Sequence, residues 1–123
     1  MGGASEVTTV IVSPDSSVRW RIAGGSEVER TIDGGRTWEI QSTGVPATPT
    51  SGAAPSPTIC WLVGPGGIVV LSTDGRTWRR VQFPEAIDLT SIRASDGTNA
   101  TVTAADGRTF TTVDAGKTWR SDR

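Results

Sequence analysis

Three aspartates stand in nearly the same setting along this chain: Thr31-Ile32-Asp33-Gly34-Gly35-Arg36-Thr37-Trp38, Ser72-Thr73-Asp74-Gly75-Arg76-Thr77-Trp78 and Thr112-Val113-Asp114-Ala115-Gly116-Lys117-Thr118-Trp119. A carboxylate repeated in this way has two chemical uses. Asp33, Asp74 and Asp114 could converge as a ring that ligates Ca²⁺ or cleaves a glycosidic bond. Alternatively, each closes its own turn by accepting hydrogen bonds from backbone N–H groups that follow it. Turn closure is the expectation, because equivalent positions on separate repeats lie too far apart to share one ion or one bond. No catalytic residue, metal or cofactor is expected.

The rest of the inventory narrows the chemistry further. The sequence has no His and no Tyr. That removes Ser-His-Asp and Cys-His catalysis, His-ligated metals and a tyrosine nucleophile. The single cysteine, Cys60, lies in the apolar run Ile59-Cys60-Trp61-Leu62-Val63 and is expected to be an inert core thiol. With Lys+Arg 12 against Asp+Glu 13, the net charge of −1 supplies no drive toward nucleic acid or an anionic membrane. Membrane insertion is not expected either, since no apolar run approaches the roughly 18 residues that a spanning helix needs. The opening MGGASEV has neither the basic nor the apolar region of a signal peptide.

Basic residues are the remaining candidates. Arg36, Arg76 and Lys117 occupy the tips of the three repeated turns, with Arg79, Arg80, Arg120 and Arg123 close by in sequence. They are either solvated hairpin ends or a surface for a partner. Arg93 falls in an expected inner strand, where it lines a central channel or neutralises Asp88 or Asp96.

The elements that position these residues follow from composition and period. Val, Ile and Thr number 12, 8 and 18, against 3 Leu and 1 Met. Stiff β-branched side chains suit a pleated sheet, so the chain is expected to be all-β. Asp33 to Asp74 is 41 residues and Asp74 to Asp114 is 40. Aligned on these aspartates, Trp20, Trp61 and Thr101 share one column, and Ile22, Val63 and Thr103 share another. Four strands fit each unit: Val7–Val12, Val18–Ala23, Glu27–Ile32 and Thr37–Gln41; then Thr50–Ala54, Thr58–Gly64, Ile68–Ser72 and Thr77–Phe83; then Leu89–Ala94, Ala100–Ala105, Thr109–Val113 and Thr118–Ser121. The Pro/Ala/Ser-rich stretch from Val45 to Pro57 has a linker's composition, but the repeat spacing places an inner strand within it. Four antiparallel strands per forty residues is the pattern of a β-propeller blade. The expected divisions are a disordered tail over 1–5 and blades over 6–44, 45–84 and 85–123. Within each repeated turn, glycine supplies backbone freedom, and the tryptophan is expected to return the chain to its blade's apolar layer. The middle turn is one residue shorter, so its geometry is expected to differ.

These strings resemble the Asp-box, or BNR repeat, of sialidases and other propellers. The longer pattern, an apolar-Trp or Cys-Trp pair and a Gly-rich turn ahead of the box, resembles the photosystem II assembly and stability factor propellers and their bacterial relatives. The resemblance implies a structural role for the boxes, assembly or stability work on other proteins, and an extracytoplasmic setting. Sialidase chemistry needs a tyrosine that is absent here.

Three blades are fewer than a closed propeller uses. They are expected to leave two flat apolar end faces, covered by a second copy in a six-bladed homodimer or by two further copies in a nine-bladed homotrimer. The expected function is a non-enzymatic scaffold that binds itself and protein or peptide. The alternatives are a carbohydrate-binding or degenerate sialidase-like propeller, and an excised or engineered propeller fragment, which the abrupt ends Met1-Gly2-Gly3 and Asp122-Arg123 would fit.

Overall fold

The structure, a computed structural model, describes residues 9–121. The expected tail over 1–5 lies outside them, as do Val7 and Thr8 of the expected first strand. Twelve short strands follow one another: β1 (Val10–Val12), β2 (Arg19–Gly24), β3 (Glu27–Thr31), β4 (Glu39–Ser42), β5 (Ser51–Ala53), β6 (Cys60–Val63), β7 (Val69–Ser72), β8 (Arg79–Val81), β9 (Leu89–Ala94), β10 (Ala100–Ala104), β11 (Thr109–Thr112) and β12 (Arg120–Ser121). They pair in sequence order into three four-stranded antiparallel sheets. The inner strand β5 lies against both β1 and β9, so the sheets fan out from their first strands as three blades.

Tight turns link the strands within each blade. Asp15 accepts a hydrogen bond from the Ser17 N–H at 3.0 Å in the β1–β2 turn. Asp96 does the same for Thr98 and Asn99 at 2.8 and 2.7 Å between β9 and β10. The β6–β7 connection folds into a single 3₁₀ turn over Pro65–Gly67.

A strand does form within the Pro/Ala/Ser-rich stretch, at Ser51–Ala53. Thr50 fastens it twice: its N–H donates to the Val63 carbonyl at 2.7 Å, and its hydroxyl donates to the Leu89 carbonyl of the next blade at 2.8 Å. Small residues suit this crowded slot. A Cβ on Gly52 would lie 2.6 Å from Leu62 and 2.8 Å from Ile11 of the neighbouring blade.

Two apolar cores fill the spaces between blades. Ile11, Trp20, Ile22 and Val28 of the first meet Cys60, Leu62 and Val70 of the second. Trp61, Val63, Val69 and Leu71 of the second meet Ile92, Val102 and Phe110 of the third. The middle blade is therefore dry on both faces, and all four residues of β6 are buried. Cys60 sits in the first core, where burial pushes its thiol well above its ordinary value.

Gly52→Ala forces a methyl group against Leu62, Ile11 and the Trp61 carbonyl. Overpacking of this kind costs about 1–3 kcal/mol. The expected outcome is a lowered urea midpoint with an unchanged slope; a variant as stable as the parent would contradict the packing described.

Candidate functional site

The repeated boxes are the densest polar structures in the chain. In the first, the Thr31 hydroxyl donates to Asp33 at 2.8 Å and accepts the Gly35 N–H at 2.9 Å. Asp33 in turn accepts the Arg36 and Thr37 N–H groups at 3.0 and 2.9 Å and the Thr37 hydroxyl at 2.6 Å. Thr112, Asp114, Gly116 and Thr118 repeat this arrangement in the third blade. The shorter middle box keeps the same pattern through Ser72, Asp74, Gly75 and Thr77. What it drops is one left-handed residue: Gly34 and Gly35 have φ of 77° and 97°, Ala115 and Gly116 have 64° and 86°, and Gly75 stands alone at 78°.

These donors stabilise the charged carboxylates. Asp33 is held well below the carboxylate range, first by the Thr37 hydroxyl and then by its N–H. Asp74 is lowered chiefly by the Thr77 and Arg76 N–H groups. The Thr118 hydroxyl and N–H bring Asp114 down to about 2. Each carboxylate is thus committed to its own turn. Among the described residues, no group of three or more Cys, Asp or Glu side chains is placed to hold a metal ion.

The second and third boxes also reach the preceding blade, which the sequence reading missed. Trp78 donates its indole N–H to the Gln41 side-chain oxygen at 3.0 Å, and the Gln41 amide donates back to the Gly75 carbonyl at 2.8 Å. Trp119 donates to the Gln82 carbonyl at 2.9 Å. The box glycines lie against that same neighbour: a Cβ on Gly75 would stand 2.8 Å from the Arg30 guanidinium, and one on Gly116 would strike Val81. Trp78 and Trp119 are consequently half-buried at joints between blades, whereas the expectation put them in their own blade's apolar layer. Trp20 and Trp61 are the fully buried pair. Trp38, Trp78 and Trp119 are half-buried.

The first box has no preceding blade among the described residues. Trp38 turns its N–H onto the Gly35 carbonyl of its own turn at 3.2 Å, and the Arg21 guanidinium lies 3.9 Å from its ring centroid. The space beside Gly35 is open except for that indole.

The candidate basic residues fall into separate places. Arg79, Arg80 and Lys117 converge on a groove of about 250 Å³ between β8 and the third box. Arg80 also lines a larger groove of about 630 Å³ with Phe83, Pro84 and Glu85. Arg76 shares a third groove with Arg30 and Trp38, and Arg36 lines none of these three. Arg93 is exposed beside Thr101 and Thr111. It makes no ion pair with Asp88 or Asp96, whose described partners are Gly66 for the former and Thr98 and Asn99 for the latter. Arg30, absent from the sequence-based candidates, donates to the Pro57 carbonyl at 2.8 Å and lies 5.2 Å from the Trp20 ring centroid. Its Nε and the Trp20 Nε1 are buried without partners.

The end faces correct another expectation. They mix polar with apolar residues and are not wholly apolar. Arg19, Arg21 and Glu29 point outward from the first blade, with Arg21 paired to Glu29. Thr101, Thr103, Thr109 and Thr111 point outward from the third. Exposed apolar groups share these faces: Val10 and Val12 lie across from Arg21 and Arg19, Ile40 lies across from Glu29, and Val113 continues the alternation of Thr109 and Thr111. The physical reason is alternation: β2 and β10 each bury one side only, so every second residue is free to be polar.

The sequence matches the family described as photosynthesis system II assembly factor YCF48 over residues 6–122. A solved structure described as YCF48 bound to D1 peptide superposes with a TM-score of 0.72 at 20% identity, over 95% of this chain and 43% of that one. YCF48 from Cyanidioschyzon merolae superposes with a TM-score of 0.77 at 19% identity, over 91% of this chain and 38% of that one. These likenesses establish the propeller fold. The chain spans about two-fifths of the length of these structures. No curated protein matches it.

Two outcomes are expected. Gln41→Leu leaves the Trp78 N–H and the Gly75 carbonyl without partners, at a cost of about 1–3 kcal/mol in urea unfolding; an unchanged midpoint would remove the joint's importance. Acid should also destabilise the fold. Because Asp114 is lowered from 3.8 to about 2, its contribution is complete above pH 3.8 and is lost as pH falls through about 2. Melting temperature should fall across that window, and less so in Asp114→Asn; identical profiles would contradict the assignment.

Proposed function

The chain belongs to the photosynthesis system II assembly factor YCF48 family, and from that membership we propose that it is a non-enzymatic scaffold that binds protein or peptide chains. The observation that carries this reading is the meeting of Arg79, Arg80 and Lys117 at one groove, where none makes an ion pair among the described residues. On a chain of net charge −1, such a local surplus of cations supports recognition of an acidic segment or a terminal carboxylate. The peptide in the YCF48 complex supports a peptide as the class of ligand. Family membership also supports an extracytoplasmic setting. Completion of the ring by a second copy, giving six blades, belongs to the same reading; the alternatives are further blades of a longer single chain, which the span of about two-fifths of the matched structures supports, and nine blades from three copies.

Anisotropy titration with a labelled acidic peptide and a D1-derived peptide tests the proposal. Binding that weakens with salt, and by about tenfold in Arg79→Glu/Arg80→Glu, is the expected result. Equal affinity of parent and variant, or no binding by either peptide, would overturn the groove as the site.

A further inference from the structure

The two joints between the three blades carry different charge at equivalent places. Glu39 and Arg79 each follow a box tryptophan, while Arg76 and Lys117 each stand two residues before the next one. The outer strand of one blade thus meets the box of the next at matching corners. At the first joint Glu39 and Arg76 line one groove of about 210 Å³ together with Arg30. At the second, Arg79 and Lys117 line the groove of about 250 Å³ together with Arg80. The first groove therefore holds two guanidiniums and a carboxylate, whereas the second holds three cations and no carboxylate.

Arg30 gives the physical reason for the difference. Its half-buried side chain reaches from β3 into the first joint, where it donates to the Pro57 carbonyl and leaves Nε buried without an acceptor. A guanidinium held there raises the cost of a further cation and favours a carboxylate close by. Glu39 lies opposite it in the β3–β4 register. The two form no ion pair, so the exposed Glu39 carboxylate stays free in the groove, where it offsets the guanidiniums and repels an incoming anion. In the second blade the buried Leu71 takes the place of Arg30, opposite Arg79. Leucine needs no counter-charge, so Arg79 shares its groove with Lys117 alone and Arg80, like charge beside like. That arrangement costs free energy until an anion enters among them.

We propose that the residue after the box tryptophan decides which joint accepts an acidic ligand: Arg79 opens the second joint to a carboxylate, and Glu39 closes the first. This rests on the reading that the groove of Arg79, Arg80 and Lys117 binds an acidic segment, and adds that each chain takes one such segment although it has two equivalent joints. Glu39 is then a specificity-determining residue that acts by repulsion. The first joint is a latent second site, whose Arg30 and Arg76 make no ion pair among the described residues and lack only a third cation.

Titration calorimetry with a short poly-glutamate peptide at low salt tests the proposal through its stoichiometry. The parent should bind one peptide per chain. Glu39→Arg should bind two, the second within about tenfold of the first in affinity. Arg79→Glu in the Glu39→Arg background should return the count to one. Glu27→Arg, an exposed change of the same charge elsewhere in the first blade, should stay at one, and circular dichroism verifies each fold. The expected result is a gain of binding, which loss of folding cannot imitate. One peptide per chain in parent and Glu39→Arg alike would overturn the role of Glu39 and leave the proposed groove standing. Two peptides on Glu27→Arg would overturn it as well, by tracing the gain to net charge. No binding by the parent would overturn groove and selection together.

Discussion

A sheet of four strands, each only two to six residues long, cannot bury either of its faces without a neighbour. Everything in this protein follows from how one such sheet is held against the next. The joint has an apolar part, in which the tryptophan, isoleucine and valine columns press on the adjacent blade, and a polar part at the rim. At the rim, Gln41 grips both the indole of Trp78 and the carbonyl of Gly75. The box is therefore more than a turn: its aspartate shapes a loop whose glycine and tryptophan are presented to the blade before it.

That arrangement gives the chain a direction. The second and third boxes each engage the outer edge of the preceding blade, while the first turns its indole onto its own turn. The middle blade carries buried residues on both sides, seen in Cys60-Trp61-Leu62-Val63. The outer blades bury alternate residues, as in Arg19-Trp20-Arg21-Ile22 and Thr101-Val102-Thr103-Ala104. Position within the arc is thus written in the strand pattern itself. The carboxylates are consumed within their turns, while Arg79, Arg80 and Lys117 make no ion pair among the described residues.

Periodicity alone was enough to place twelve strands among the described residues and to find β5 inside a stretch that resembles a linker. It succeeded because the Asp-to-Trp string is local: hydroxyl, carboxylate and glycine lie within a few residues, and their bonding follows from backbone geometry at that spacing. The polar residues on the end faces were legible too, in the alternation of arginine with Trp20 and Ile22 and of threonine with Val102. They were missed because a propeller blade was assumed to be apolar on both sides.

The tertiary structure alone decided which residues meet across blades. Gln41 gives no signal in sequence, since Val81 occupies the equivalent place in the next repeat and the partner of Gln41 lies 37 residues away at Trp78. Arg30 is likewise an ordinary strand residue until folding sets it against Gly75 and Pro57 of the next blade. Local bonding is specified by neighbours along the chain, so it can be read there. Joints depend on the angle and distance between sheets, which no single repeat contains.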